Sequence, residues 1–159
     1  MRFLNRYKID TIDYVANQKK SIEIPRTGVL MGLNFHLTFT NTTDSSAPSG
    51  ATFFALAALL KRIELKAGGS DTPINTTGPA LAAKQFLDFG QFGAGSDNSQ
   101  ISYSTSTATT YHVHLYLPLF LPRHRVPDDT GLPLFAIPQT TLTVTWGTIA
   151  DMFGTVNAS

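Results

Sequence analysis

The sequence predicts an all-β fold, a single antiparallel jelly-roll barrel or sandwich carrying one short helix. Composition is the first of three observations behind it. Charged residues make up only 14% of the 159-residue chain, Ser and Thr together supply 32 residues, Phe supplies 11, and Glu occurs only at Glu23 and Glu64. Long solvated helices need Glu and Lys, whereas strands favour Thr, Phe, Tyr, Ile and Val. The second observation is strict apolar–polar alternation in several stretches, the mark of a half-buried strand. The third is the length of the polar connections between those stretches, which suits the crossovers of a Greek-key or jelly-roll sandwich better than a simple meander.

Taken in order, residues 1–18 read as an N-terminal arm. The first 26 residues hold six basic side chains, Arg2, Arg6, Lys8, Lys19, Lys20 and Arg26, against Asp10, Asp13 and Glu23. A strand is expected at Lys19–Ile24. From Val29 to Thr40, Val29, Met31, Leu33, Phe35, Leu37 and Phe39 alternate with polar or small residues and predict one long strand. Asn41–Gly50 is a turn-rich loop. Ala51–Leu60 opens as a short helix and gives way to a strand at Leu60–Ala67. Gly68-Gly69-Ser70-Asp71 then turns, with glycine tolerating positive φ. Pro79–Phe89 is the main helix: Pro79 suits the first helical position, Gly90 the stop, and Ala82, Phe86 and Phe89 form its expected buried stripe. Tyr111, Val113, Leu115, Leu117 and Leu119 alternate in a further strand. Pro122–Gly131 is a loop, Leu142, Val144 and Trp146 mark the last strand, and residues 148–159 form a tail with Ile149, Met152 and Phe153 as anchors. One domain spanning residues 1–159 is expected.

Composition also narrows function. A net charge of +1 and a pI near 8.0 offer no global field for nucleic acid or anionic lipid. With no cysteine, thiolate metal sites, thiol catalysis and disulfides are excluded. Met1–Lys8 lacks the apolar run of a signal peptide, and no segment reaches the ~20 apolar residues of a membrane-spanning helix.

The chemical motifs are few. His112-Val113-His114 puts two imidazoles on one strand face, a candidate metal pair that resembles the start of the cupin motif. The carboxylate that would continue that motif is replaced by Tyr116, Leu117, Pro118 and Leu119, and His36 and His124 are the remaining imidazoles. A polar strand face with two histidines is the preferred reading, with no metal and no cofactor. Asp129-Thr130-Gly131 matches the aspartic protease triplet but follows Val126-Pro127-Asp128 rather than a buried strand, so it reads as a turn. Gly90-Gln91-Phe92-Gly93-Ala94-Gly95 follows a helix and has the wrong glycine order for a phosphate loop. Asn41-Thr42-Thr43, Asn75-Thr76-Thr77 and Asn157-Ala158-Ser159 are glycosylation triplets of the kind such a composition produces by chance. Arg123-His124-Arg125 is a basic loop cluster that can touch phosphate, lipid headgroups or acidic surfaces. No catalytic set emerges, and the chain reads as a non-enzyme. Low surface charge lessens the desolvation cost of burying surface against a neighbour, and aromatics raise the gain. Those traits suit an assembly building block. Arg2, Arg6, Lys8, Tyr14, Arg123, Arg125, Met152 and Phe153 are the candidate interface residues.

Several stretches resemble the jelly-roll capsid proteins of tailless icosahedral viruses with an internal membrane. They are Ile24-Pro25-Arg26-Thr27-Gly28 leading into a long strand, the run from Leu60-Lys61-Arg62-Ile63-Glu64-Leu65 to Lys66-Ala67-Gly68-Gly69-Ser70-Asp71-Thr72, and Thr141-Leu142-Thr143-Val144-Thr145-Trp146-Gly147. The helix after Thr72 and Leu117-Pro118-Leu119-Phe120-Leu121-Pro122-Arg123 also sit where that group places them, so the resemblance covers about residues 20–147. Most such relatives fuse two jelly rolls, and this chain has room for one. It therefore looks most like the small single-barrel major capsid proteins of thermophilic internal-membrane bacteriophages. That resemblance implies a homodimer, a larger single-barrel capsid partner, pseudo-sixfold capsomers with bases facing the viral membrane, synthesis in the host cytoplasm and residence in the virion. Two other readings use a similar sandwich: a carbohydrate-binding module, with Tyr103, Tyr111 and Tyr116 as its stacking platform, or a receptor-binding virion protein.

Overall fold

The computed structural model describes residues 8–41, 53–89, 109–119 and 130–153. Its strands are β1 (Lys19–Ile24), β2 (Val29–Leu30), β3 (Gly32–Asn41), β4 (Leu60–Ala67), β5 (Asp71–Thr76), β6 (Thr109–Pro118), β7 (Leu132–Pro133) and β8 (Thr140–Trp146). Helices α1 (Phe53–Ala58), α2 (Gly78–Phe89) and α3 (Ile149–Phe153) lie between or after them, with a 3-10 turn at Leu134–Ala136. Thus α1 and α3 accompany the main helix.

Pairing is nested and antiparallel throughout: β1 with β8, β2 with β7, β3 with β6, and β4 with β5. A long hairpin folded back across itself produces this order, and that is the wiring of a jelly roll. β8 also pairs with β4, giving a four-stranded sheet in the order β1–β8–β4–β5. The core lies between that sheet and the β3–β6 ladder. Ile24, Ile63, Leu65, Leu142, Val144 and Trp146 meet Leu33, Val113, Leu115 and Leu117 in one buried cluster.

β1, β4 and β8 begin and end close to where alternation and turn residues place them. The long strand expected from Val29 to Thr40 is instead broken at Met31, where the chain changes partner from β7 to β6. The break reverses the inward phase: Val29 is 45% exposed, whereas Leu30 packs on the core. β5 is an addition that alternation does not reveal. Asp71-Thr72-Pro73-Ile74-Asn75-Thr76 becomes a strand because the Gly68–Gly69 turn, with φ of 67° and 91°, folds it back onto β4. Pro73 is tolerated because β5 ends the sheet among the described residues. At the opposite end, β1 carries Lys19 and Lys20.

Helix α2 buries Ala82 as its spacing predicts, but its buried stripe is rotated away from Phe86. Leu81, Ala82 and Gln85 are buried, while Phe86 is 43% exposed and the Phe89 side chain lies outside the described part. A hydrogen bond accounts for the rotation. The Tyr116 backbone N–H on β6 donates to Gln85 Oε1 at 3.0 Å, so a polar side chain satisfies a buried group and turns its helix face inward.

The arm from Lys8 to Gln18 has neither helix nor strand, but it lies on the barrel. Ile9 and Ile12 pack on the core, and the Tyr14 ring meets Trp146 edge-on at 5.5 Å. Its hydroxyl donates to the Gly147 carbonyl at 3.3 Å. No helix among the described residues is long and apolar enough to cross a membrane.

Two predictions follow from local geometry. Gly78 is buried where α2 meets α1, and a Cβ there would be driven into the Ala57 carbonyl oxygen and to 2.9 Å from Leu60 Cβ. Since the obstacle is backbone, Gly78→Ala should destabilise the fold by about 3 kcal/mol, read from denaturant unfolding. At α3, the Thr148 N–H and hydroxyl donate to Asp151 Oδ2 at 2.6 and 3.0 Å. This is the N-terminal box arrangement that satisfies an otherwise open helix N–H. The backbone bond first, and the hydroxyl bond second, hold the Asp151 carboxyl below its ordinary value of 3.8. A depressed carboxyl stabilises the folded form above the ordinary value, and that contribution is lost as pH falls through the folded one. Hydrogen exchange at Thr148 should therefore accelerate as pH drops below about 3.8 relative to distant amides, and Asp151→Asn should remove that pH dependence.

Candidate functional site

The described surface offers two organised polar faces. The first is the outer face of the four-stranded sheet. Thr141, Thr143 and Thr145 run along β8, because inward Leu142, Val144 and Trp146 force the alternate residues out. Thr143 stands between Ser21 and Glu64 in register, and its hydroxyl lies 2.9 Å from that of Ser21. Glu64, although 7% exposed, is paired with Arg62 at 3.1 Å and Lys19 at 3.7 Å, and Arg62 Nε also donates to Asn75 Oδ1 at 3.1 Å. One of the two glutamates is thus used to tie β1, β4 and β5 together across their solvent side. A shallow groove on this face is lined by Lys19, Ser21, Lys66, Thr141 and Thr143. It contains hydroxyls and ammoniums and no nucleophile–base pair.

The second face is the outside of the β3–β6 ladder. Ten consecutive residue pairs run from Gly32–Pro118 to Asn41–Thr109. Inward residues Leu33, Phe35 and Leu37 oppose Leu117, Leu115 and Val113, so Asn34, His36, Thr38 and Thr40 share the outside with Thr110, His112, His114 and Tyr116. His36 stands directly opposite His114, and the two rings stack with centroids 4.3 Å apart and planes 7° from parallel. His36 Nε2 lies 3.2 Å from His112 Nδ1, and the Thr38 hydroxyl lies 3.4 Å from that same Nδ1. Partial burial, first, and the charges of His114 and His112, second, lower the pKa of His36 below 6.5. No three His, Asp or Glu groups among the described residues converge to hold an ion as they stand.

The residues expected at an interface are scattered by comparison. Lys8 is exposed, and Tyr14 divides its surface between Trp146 and solvent at 41% exposure. Met152 and Phe153 sit on α3, but their side chains, like Arg2, Arg6, Arg123 and Arg125, lie outside the described residues. So do Asp129, the 90–95 glycine run and His124; Asn75 is on β5. His112 and His114 stand two residues apart on the outer face of β6, and the ladder sets His36 against each of them as a third imidazole. That third member is missed by local spacing because 75 residues separate His36 from His112, and only the ladder register brings them together. The available signal was that His36, like His112 and His114, stands in the polar phase of an alternating strand.

No family model matches the chain, and no curated protein matches it. Solved structures do. A chain from the atomic structure of Sulfolobus turreted icosahedral virus superposes with a TM-score of 0.64 at 17% identity, over 85% of this chain and 37% of that one. The crystal structure of the major capsid protein of the same virus superposes with a TM-score of 0.54 at 19% identity, over 83% of this chain and 44% of that one. This chain spans less than half of each. At such identities the likeness is one of fold, and the chain is an all-β jelly roll of the kind those virus structures contain.

Proposed function

We propose that this chain is a viral capsid subunit, a structural protein rather than an enzyme, whose outer walls pack against other subunits of a virion shell. The observation that carries the reading is the superposition of 83% of the chain on a viral major capsid protein of which it spans only 44%. That share is what a single barrel would cover of a two-barrel capsid chain. The surface supports the same reading. Charge is sparse, the polar faces are threonine-rich, and Leu87 and Phe135 stand 80% and 63% exposed. Covering such side chains against a neighbour gains apolar burial at little desolvation cost.

The finer proposal is a homodimer that joins a larger single-barrel capsid protein in capsomers, with their bases towards an internal membrane, in a thermophilic bacteriophage made in its host's cytoplasm. Contacts are assigned to Arg2, Arg6, Lys8 and Tyr14 on the arm, Arg123 and Arg125 on the loop, and Met152 and Phe153 on the tail. A sugar-binding platform is less well supplied. The Tyr116 ring lies over Gly32, whose Cβ position would be 2.6 Å from the hydroxyl oxygen.

Light scattering of the purified chain across concentration and salt tests this. The expected mass is at least that of a dimer, rising with concentration or on adding a capsid partner. Association through the basic arm should weaken towards 1 M salt, where the screening length falls to about 3 Å. A strict monomer under every condition, with and without a partner, would overturn the capsid reading.

A further inference from the structure

We infer that His36 and His112 form a binding site for a zinc-type divalent transition-metal ion on the outer face of the β3–β6 ladder. The geometry is that of a pre-set two-imidazole clamp. In tetrahedral zinc sites the metal–nitrogen distance is about 2.0–2.1 Å, which places two ligating nitrogens about 3.3 Å apart. His36 Nε2 and His112 Nδ1 are 3.2 Å apart without any ion between them. In the metal-free protein one of these nitrogens carries a proton and donates it to the other. When an ion binds, the donor ring passes that proton through solvent to its own other nitrogen, so that both neutral imidazoles present a lone pair to the ion.

Rigidity comes from the ladder. The two histidines stand on strands joined through ten consecutive pairs, so bringing them together costs no backbone ordering at the moment of binding. His114 acts as a wall: its ring, stacked on His36 at 4.3 Å, limits rotation of the ligating ring. The Thr38 hydroxyl, 3.4 Å from His112 Nδ1, is placed to hydrogen-bond a metal-bound water. Because no third ligating group among the described residues converges as the side chains stand, solvent completes the coordination.

The donor set also decides which ion. The outward positions of the two strands are Asn34, His36, Thr38, Thr40, Thr110, His112, His114 and Tyr116, with no carboxylate among them. Calcium and magnesium require oxygen donors, mainly carboxylates, whereas imidazole suits zinc, nickel and copper.

Isothermal titration of the tag-free, chelator-stripped full chain with Zn2+ or Ni2+ tests the site. One ion per chain is expected, with no comparable binding of Ca2+ or Mg2+. His36→Ala and His112→Ala should each weaken binding more than 10-fold, and the double variant should abolish it. His114→Phe, which keeps a stacking ring, should bind nearly as the unaltered chain does, while His114→Ala should lose about 10-fold. His124→Ala should change nothing. Both ligands are exposed, so melting curves should be unaltered; His36→Gln and His112→Gln provide a second pair if an alanine variant fails to fold. Nitrogen-15 NMR of the imidazoles on adding Zn2+ should shift His36 and His112 ahead of His124. Absence of saturable binding, equal binding in the double variant, or equal affinity for Ca2+ would overturn the assignment.

Discussion

β8 lies between β1 and β4 and hydrogen-bonds to both, so the start of the fold is fastened to a strand more than a hundred residues further along. Everything else is arranged around that fastening. β8 supplies Leu142, Val144 and Trp146 to the core, each worth roughly 1.5–3 kcal/mol when removed from water. It also supplies the Thr141–Thr143–Thr145 row to the opposite face. Trp146 in turn gives the arm its anchor through Tyr14, and Gly147 just beyond receives the Tyr14 hydroxyl and donates to Leu59 at the end of α1. Pairings of such long sequence separation form late and slowly, because loop closure must be met before the contact repays it.

The two outer faces differ in kind although both are polar. On the four-stranded sheet the polar groups are satisfied by each other: Ser21 with Thr143, Glu64 with Arg62 and Lys19, Arg62 with Asn75. Such a face holds its polar side chains against one another across the strands. On the β3–β6 ladder the imidazoles meet one another instead, His36 stacked on His114 and within hydrogen-bond distance of His112.

Much of the architecture was legible because period-two patterning is enforced wherever one sheet face is buried. β4 and β8 show this most plainly, with Ile63 and Leu65 inside and Thr141, Thr143 and Thr145 outside. The pattern misled where tertiary pairing overrode it. Val29 belongs by alternation with Leu33, yet the change of strand partner at Met31 turns it outward. β5 has no apolar rhythm and exists only because β4 offers it an edge. Gln85 is polar and buried because an N–H on β6 needed an acceptor. His36 could be placed on an outer face from sequence, but its neighbours depend on a register that no local signal encodes.

The margins of the four-stranded sheet have a consequence for growth. Among the described residues β1 and β5 are its margins, and Lys19 and Lys20 on the one and Pro73 on the other make both poor templates for adding a further strand, since desolvated ammoniums and a missing N–H each penalise such an addition. Copies that associate through this sheet would then meet by side-chain surfaces, whose angles are set by shape, rather than by extending its backbone hydrogen-bond lattice. Strand-by-strand extension leads to open-ended fibres, whereas wall-to-wall contact permits the fixed curvature that a closed container requires.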